Sequence, residues 1–307
     1  MPASALIVGC GDVGCRLALL LNAAGIVASG LARSERSAQA LAALGIAAFR
    51  ADLDADDIDA CVAASFNWIF YFAPPPDVGA DDPRLRRFLI ALKRPPRRLV
   101  YLSTSAVYGD CGGRWIDETA PLAPKSERGR RRLDAECAAL DYAAASGCET
   151  LILRVPGIYG PGRLPVERLR TGRPVLRIAE SPYSNRIHAD DLAAAALHVA
   201  AHGRAGEAYN VSDGQPTTMT DYFLRCARLL GLPEPPQISL AEARQSFSPM
   251  LLSFLEESKR LSNRRLVATL DWTPEFPDLA AGLPACLGDD VVSRAAHADI
   301  QSAKAFR

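Results

Sequence analysis

The chain has 307 residues, 49% of them hydrophobic and 23% charged, and its 35 basic and 35 acidic side chains balance to zero net charge. That is enough to bury the core of one large domain or one and a half, and it excludes a disordered or strongly polyionic protein. Of the cations, 31 are Arg and only Lys93, Lys125, Lys259 and Lys304 are Lys, so an isolated arginine carries little functional information.

No basic stripe is interleaved with aromatics, so nucleic acid is not an expected partner. The opening MPASALIVGCGDVG has no charged region ahead of its short apolar run, which stops at glycines; neither a signal peptide nor a membrane span is expected. Eight cysteines occur without a CxxC pair and without a histidine at ligand spacing. They read as free thiols of a cytoplasmic protein, with no metal site.

In chain order, ALIVGCG (5–11) predicts a buried strand and VGCRLALLLNAAG (13–25) a helix ending on Gly25. IVASGLARS (26–34) is a second strand, and RSAQALAALG (36–45) a helix closed by Gly45. IAAFRADL (46–53) reads as a third strand, DDIDACVAAS (56–65) as a helix, and NWIFYFAPPP (67–76) as a strand broken by prolines. DPRLRRFLIALKR (82–94) is helical, RRLVYLSTSAVYG (97–109) a strand running into a loop, RLDAECAALDYAAASG (132–147) a long helix, and CETLILRVPGIYGPG (148–162) a sixth strand. Such alternation with continuously apolar strands predicts a doubly wound parallel sheet covered on both faces.

Beyond residue 157 the rhythm changes. Residues 160–186 are rich in Pro, Gly and Arg; ADDLAAAALHVAAHG (189–203) is a helix with Asp190 or Asp191 as its cap. EAYNVSDG (207–214) is a strand, and TDYFLRCARLLGLPEPP (220–236) a helix stopped by Gly231 and the prolines. The expected organisation is an α/β dinucleotide-binding domain over 1–157 plus 187–214, a small substrate domain over 158–186 plus 215–287, and a tail over 288–307.

GCGDVG places Gly9, Gly11 and Gly14 between a strand and a helix, the context a dinucleotide site requires. Gly9 allows the tight turn, Gly11 the approach of a pyrophosphate, and Gly14 close packing of the helix, with Asp12 and Val13 in its first turn. An acidic residue roughly 20 positions on would bind ribose hydroxyls; here stand Arg33 and Ser34. A guanidinium pairs with a 2′-phosphate, so NADP is favoured over NAD. Asp52 and Leu53 after the third strand, and Ala73 and Pro74 after the fourth, would line the same cofactor.

Taken in order, GCGDVG, FAPPP, LSTSAVYGD, LRVPGIYGPG, NRIHADDLA and YNVSDGQPTT resemble the extended short-chain dehydrogenase/reductases, the NAD(P)-dependent sugar epimerases and dehydratases. The resemblance covers residue 5 to about residue 287. It implies a Rossmann fold, a small-molecule substrate, and a monomer or homodimer. In that family a hydroxyl residue, a Tyr and a Lys act together; matching TSAVYG puts the first role on Thr104. The Y-x-x-x-K motif falls on RGRRRLDAE, where Tyr becomes Arg128, Lys becomes Arg132, and Glu136 keeps its place. Tyr has a pKa near ~10, whereas Arg stays charged above ~12 and does not exchange protons at neutral pH. Arg132 is left to hold the cofactor ribose, with Pro156 beside it. Tyr108 and Tyr159 both follow strand ends and are candidates to replace the lost Tyr, Tyr108 being favoured because it shares a loop with Thr104.

Arg128, Tyr159, Arg163 and Arg186 are then the substrate-facing candidates, Arg186 as a phosphate grip. His188 reads as a structural histidine before a helix, and His198 and His202, four apart, as surface residues. Two functions stand: an NADP-dependent epimerase/dehydratase or carbonyl reductase with a diverged site, or a dinucleotide-binding sensor without chemistry.

Overall fold

The computed structural model describes residues 4–55, 58 and 65–288. Both the helix expected over 56–65 and the tail from 289 onward lie outside the described residues, apart from Ile58 and Ser65.

Seven parallel strands make the central sheet: β1 (Ser4–Val8), β2 (Val27–Ala32), β3 (Ala47–Arg50), β4 (Trp68–Tyr71), β5 (Arg98–Thr104), β6 (Glu149–Val155) and β7 (Ala208–Asn210). Their order is β7-β6-β5-β4-β1-β2-β3. The chain therefore reverses direction across the sheet between β1 and β4, whose register pairs Ile7 with Phe70. In a doubly wound sheet that switch point opens a crevice at the carboxyl edge.

The strands are continuously apolar because both faces are covered. Ala5 and Ile7 of β1 belong to one buried cluster; Leu6 and Val8, pointing the other way, belong to a second. The first cluster is closed by α1 (Asp12–Ala23) and α5 (Ala189–His202), through Leu17, Leu21, Leu192 and Ala196. Between them in sequence lie α2 (Glu35–Ala43), α3 (Pro83–Ala91) and α4 (Glu127–Ser146). Leu85 and Phe88 of α3 and Ala135 and Ala139 of α4 close the second cluster. The alanines of α4 and α5 let these helices lie close on the sheet.

Two expectations are corrected. The long helix α4 starts at Glu127, not 132, because the Ser126 side chain caps it by accepting from the Gly129 N–H. Arg128 and Arg132 are consequently both helical and one turn apart on one face. Helix α5 is capped neither by Asp190 nor by Asp191 but by His188, whose Nδ1 accepts from the Asp190 N–H at 3.3 Å. The two aspartates sit inside the first turn, where the helix dipole favours them.

Past β6 the chain builds short two-stranded pieces. Gly157–Tyr159 pairs with Arg186–His188, Tyr183–Ser184 with Thr217–Thr218 ahead of α6 (Met219–Leu229), and Arg260–Leu261 with Trp115–Ile116. Asn185 ties two of them together: its amide donates to the Lys259 carbonyl at 3.0 Å and its oxygen accepts from the Leu261 N–H at 2.8 Å.

Backbone approaches closely at Gly9, which has φ +83° and would place a Cβ 2.4 Å from the Ala73 nitrogen. Gly9→Ala adds left-handed strain to a backbone clash. A cost of ~2 kcal/mol converts to a fall of roughly 4–8 °C in melting temperature, which differential scanning calorimetry will show.

Candidate functional site

The turn after β1 leads into α1 through Gly11. Helices α2 to α6 each begin on a side-chain cap, provided by Ser34, Asp82, Ser126, His188 and Thr218; α1 begins on Gly11 and has none. Its first-turn N–H groups are thus left for an anion at the positive end of the helix dipole. A Cβ at Gly11 would meet nothing within 4 Å, so space lies open over the turn, whereas one at Gly14 would press on Ile7 at 3.1 Å. An uncapped helix start below an open glycine turn fits a dinucleotide pyrophosphate.

Asp12 does not aim at that space. It is buried and held by Arg16 Nε at 2.9 Å and by Arg163. Arg16 in turn reaches Asp190. Arg163 is therefore bound to α1 and does not line the cleft below, because the buried carboxylate of Asp12 needs its charge compensated. Val13 is in the core.

At the far end of the site Arg33 is exposed after β2 and Ser34 caps α2. Asp52 Oδ1 accepts from the Asp54 N–H at 3.0 Å, and Leu53 packs on the core. Asp54 is gripped on both oxygens by Arg84 (2.6 and 2.5 Å), which also donates to the Pro74 carbonyl at 3.0 Å; this pairing lowers the Asp54 pKa. Ala73 is buried against Gly9.

A cleft of about 180 Å³ opens at the carboxyl end of β5, lined by Thr104, Arg128, Pro156, Tyr183, Arg186, Glu257 and Lys259 among others. Thr104 closes β5 and its oxygen accepts from the Ala106 N–H, capping the short 3₁₀ turn Ser105–Tyr108. Arg128 enters from α4; it lies 3.5 Å over the Phe254 ring, donates to Ser253 Oγ at 3.1 Å, and stands 3.6 Å from Glu257. Arg186 lies 4.2 Å over the Tyr222 ring and its Nε has no hydrogen-bond partner. Burial lowers the pKa of both arginines, the mark of cations short of counter-charge.

Tyr108 is not brought to this cleft. Its hydroxyl is buried, donates to Asn210 Oδ1 at 2.8 Å and accepts from Arg154 at 3.0 Å. Burial pushes its pKa up to about 12, against a pull from Arg154. Tyr159 is also turned away: it is fully buried, donates to the Asp278 carbonyl at 3.3 Å, and carries Gly282 against its ring. A tyrosine locked by two partners or packed under a helix has no open path to substrate. Arg132 donates to the Leu102 carbonyl at 2.7 Å and to Tyr101 Oη at 3.2 Å. Glu136 is the hub beneath: it accepts from Ser103 Oγ and takes Arg154 on both oxygens, the closest contact being 2.9 Å.

His198 bonds the Leu270 carbonyl at 2.6 Å, and no metal-holding cluster occurs among the described residues. The seven cysteines among them are free. No helix among the described residues is long and apolar enough to cross a membrane.

Sequence reasoning missed Glu257, Lys259, Ser253 and Phe254, which come from the stretch with least pattern. One signal was available: Lys259 is one of four lysines among 35 cations.

A seven-stranded doubly wound sheet with an open glycine turn at its carboxyl edge defines a protein of the Rossmann class. Residues 5–212 match the NAD dependent epimerase/dehydratase family. The chain belongs to that family, and the resemblance to extended short-chain dehydrogenase/reductases is borne out. It is 26% identical over 205 residues to the low-salt glycan biosynthesis protein Agl12 of Haloferax volcanii, a match spanning 63% of each chain. A conserved protein of unknown function from Silicibacter pomeroyi DSS superposes with a TM-score of 0.77 at 30% identity, over 92% of this chain and 98% of that one. MoeE5, in complex with UDP-glucose and NAD, shares the fold with a TM-score of 0.72 at 21% identity, over 97% and 99%.

Two outcomes follow from the buried charges. Glu136→Ala strands Arg154 in the core and is expected to cost about 3–5 kcal/mol in urea denaturation. Asp213 is buried, with Oδ2 unpartnered, and burial raises its carboxyl to about 7 although Arg186 pulls it down. The folded chain then holds a proton that the unfolded chain has released. That contribution is full below pH ~4 and is lost as pH rises toward 7, by at most about 1.4 kcal/mol per unit. Asp213→Asn should flatten this decline in a pH series of melting curves.

Proposed function

We propose that the protein is an NADP-dependent epimerase/dehydratase or carbonyl reductase of the extended short-chain type, acting on a sugar-nucleotide-like or small carbonyl substrate. The observation that carries this reading is the position of Thr104. It ends β5 at the same sheet edge as the uncapped start of α1, and it opens into a cleft shared with Arg128 and Arg186.

Gly9, Gly11 and the first turn of α1 would hold the pyrophosphate, and Arg33 with Ser34 the 2′-phosphate. When bound, the dinucleotide supplies or accepts a hydride. The Thr104 hydroxyl donates to the reacting oxygen. Arg128, where the family has Tyr, keeps a positive charge beside that oxygen but does not release a proton at neutral pH. Arg186, with a spare N–H on its Nε, takes an anionic group of the substrate. The sugar nucleotide and NAD held by MoeE5 support the substrate class.

The sensor reading is favoured by one feature. Arg132, standing where the family's Lys would be, is spent on the Leu102 carbonyl and Tyr101.

Calorimetry tests the cofactor. NADPH is expected to bind more tightly than NADH, and Arg33→Ala to weaken NADPH by roughly tenfold or more, consistent with the ~1.5–3 kcal/mol of a charged hydrogen bond, while leaving NADH unchanged. Binding of neither dinucleotide overturns the reading. Thr104→Val should lower kcat at unchanged NADPH affinity; tight NADPH binding without turnover on aldehydes, ketones or sugar nucleotides decides for the sensor.

A further inference from the structure

We infer that Lys259 is the proton donor and acceptor of this cleft, supplying from the C-terminal part of the chain what the α4 motif has lost. The inference rests on the catalytic reading above.

Elimination within the cleft leads to it. Thr104, Ser105 and Ser184 are hydroxyls that do not ionise at neutral pH, and Arg128 and Arg186 keep their protons. Tyr183 is 39% exposed with its ring 4.7 Å from the Arg260 guanidinium, so it stands at the rim. Glu257 is already engaged, accepting from Ser126 Oγ at 3.3 Å and from Lys259 Nζ at 2.8 Å, with Arg128 at 3.6 Å. Lys259 lines the cleft with Thr104 and is only 5% exposed. An ammonium has three N–H groups, and one of them is given to Glu257.

The lysine is also held in place. Its carbonyl is taken by Asn185 at 3.0 Å, the next N–H but one returns to Asn185 at 2.8 Å, and the Ser258 N–H donates to Asp110 Oδ1 at 2.9 Å. The charged and titratable groups around it are Glu257 on its own segment, Arg128 from α4, Asp110 and Cys111 from the loop after β5, and Arg186 across the cleft. At about 180 Å³ the cleft is smaller than the ~300–1,000 Å³ usual for ligand pockets. On this proposal one small carbonyl group sits in it, lined by Thr104, Arg128 and Lys259.

In the reducing direction the carbonyl carbon gains the hydride, and the C=O π pair moves onto oxygen. An N–H bond of Lys259 breaks, its electron pair stays on nitrogen, and its proton forms the new O–H. The neutral amine regains a proton from solvent. In the oxidising direction the neutral amine takes the alcohol proton as the hydride departs. Thr104 and Arg128 stabilise the oxygen in both.

The test compares the full chain with Lys259→Arg and Lys259→Met, following NADPH oxidation with methylglyoxal and glyoxylate as carbonyl probes. Both variants should bind NADPH within about twofold of the parent by calorimetry. Both should lose ~10²–10⁴-fold in kcat. Arginine keeps the charge and the Glu257 pair, so a Lys259→Arg variant within about threefold of the parent overturns the proposal. An inert parent overturns the catalytic reading and the proposal with it.

A second readout needs no turnover. Glyoxylate condenses with an amine, losing water, and cyanoborohydride reduces the imine, leaving a carboxymethyl group that peptide masses assign among four lysines. Lys259 should be modified, and NADPH with methylglyoxal should protect it. No adduct at Lys259 under conditions that modify the exposed Lys125 places the amine out of reach of a carbonyl and overturns the proposal.

Discussion

The ion pair of Glu136 with Arg154 is the constraint on which the site hangs. Both side chains are buried, so each charge depends on the other and on the neutral groups around them. Through these two residues α4 is tied to β6, Ser103 on β5 is drawn in, and Tyr108 is held beneath the sheet edge with Asn210 of β7. Thr104 follows Ser103 directly, and Arg128 stands two helical turns before Glu136. The orientation of the cleft's floor and of one wall thus comes from a single buried network. It also keeps Tyr108 off the cleft: the phenol proton is held by Asn210 and the phenol oxygen by Arg154.

The second organising feature is the distribution of charge at the carboxyl edge. Aspartates near the glycine turn are neutralised locally: Asp12 by Arg16 and Arg163, and Asp54 by Arg84. This keeps negative potential away from the place where a pyrophosphate would lie. In the cleft the balance is opposite: Arg128 and Lys259 share the one carboxylate Glu257, and Arg186 lines the same cleft. An anionic substrate suits that excess, and the lowered pKa values of the two arginines show what burial costs them without it.

The alternation of apolar strands with amphipathic helices announced the doubly wound sheet, since each β1 residue from Ala5 to Val8 is buried on one face or the other. GCGDVG located the open turn between β1 and α1, because backbone conformation and the absence of a Cβ are properties of the glycines themselves. Helix caps were less legible. His188 displaced Asp190 and Asp191 as the cap of α5 because those aspartates were needed elsewhere, by Arg16 and by the N–H groups of Glu275 and Phe276.

By itself, then, the sequence determined the sheet, its covering helices and the glycine turn, all of which depend on local pattern and spacing. Only the tertiary structure decided which polar side chains face the cleft. Tyr108 and Tyr159 went inward, Arg163 went to Asp12, and residues 253–259 came back to α4 and put Lys259 into the cleft that Thr104 also lines. Those outcomes turn on how buried charges find partners across more than a hundred residues of chain, information that no local window of sequence contains.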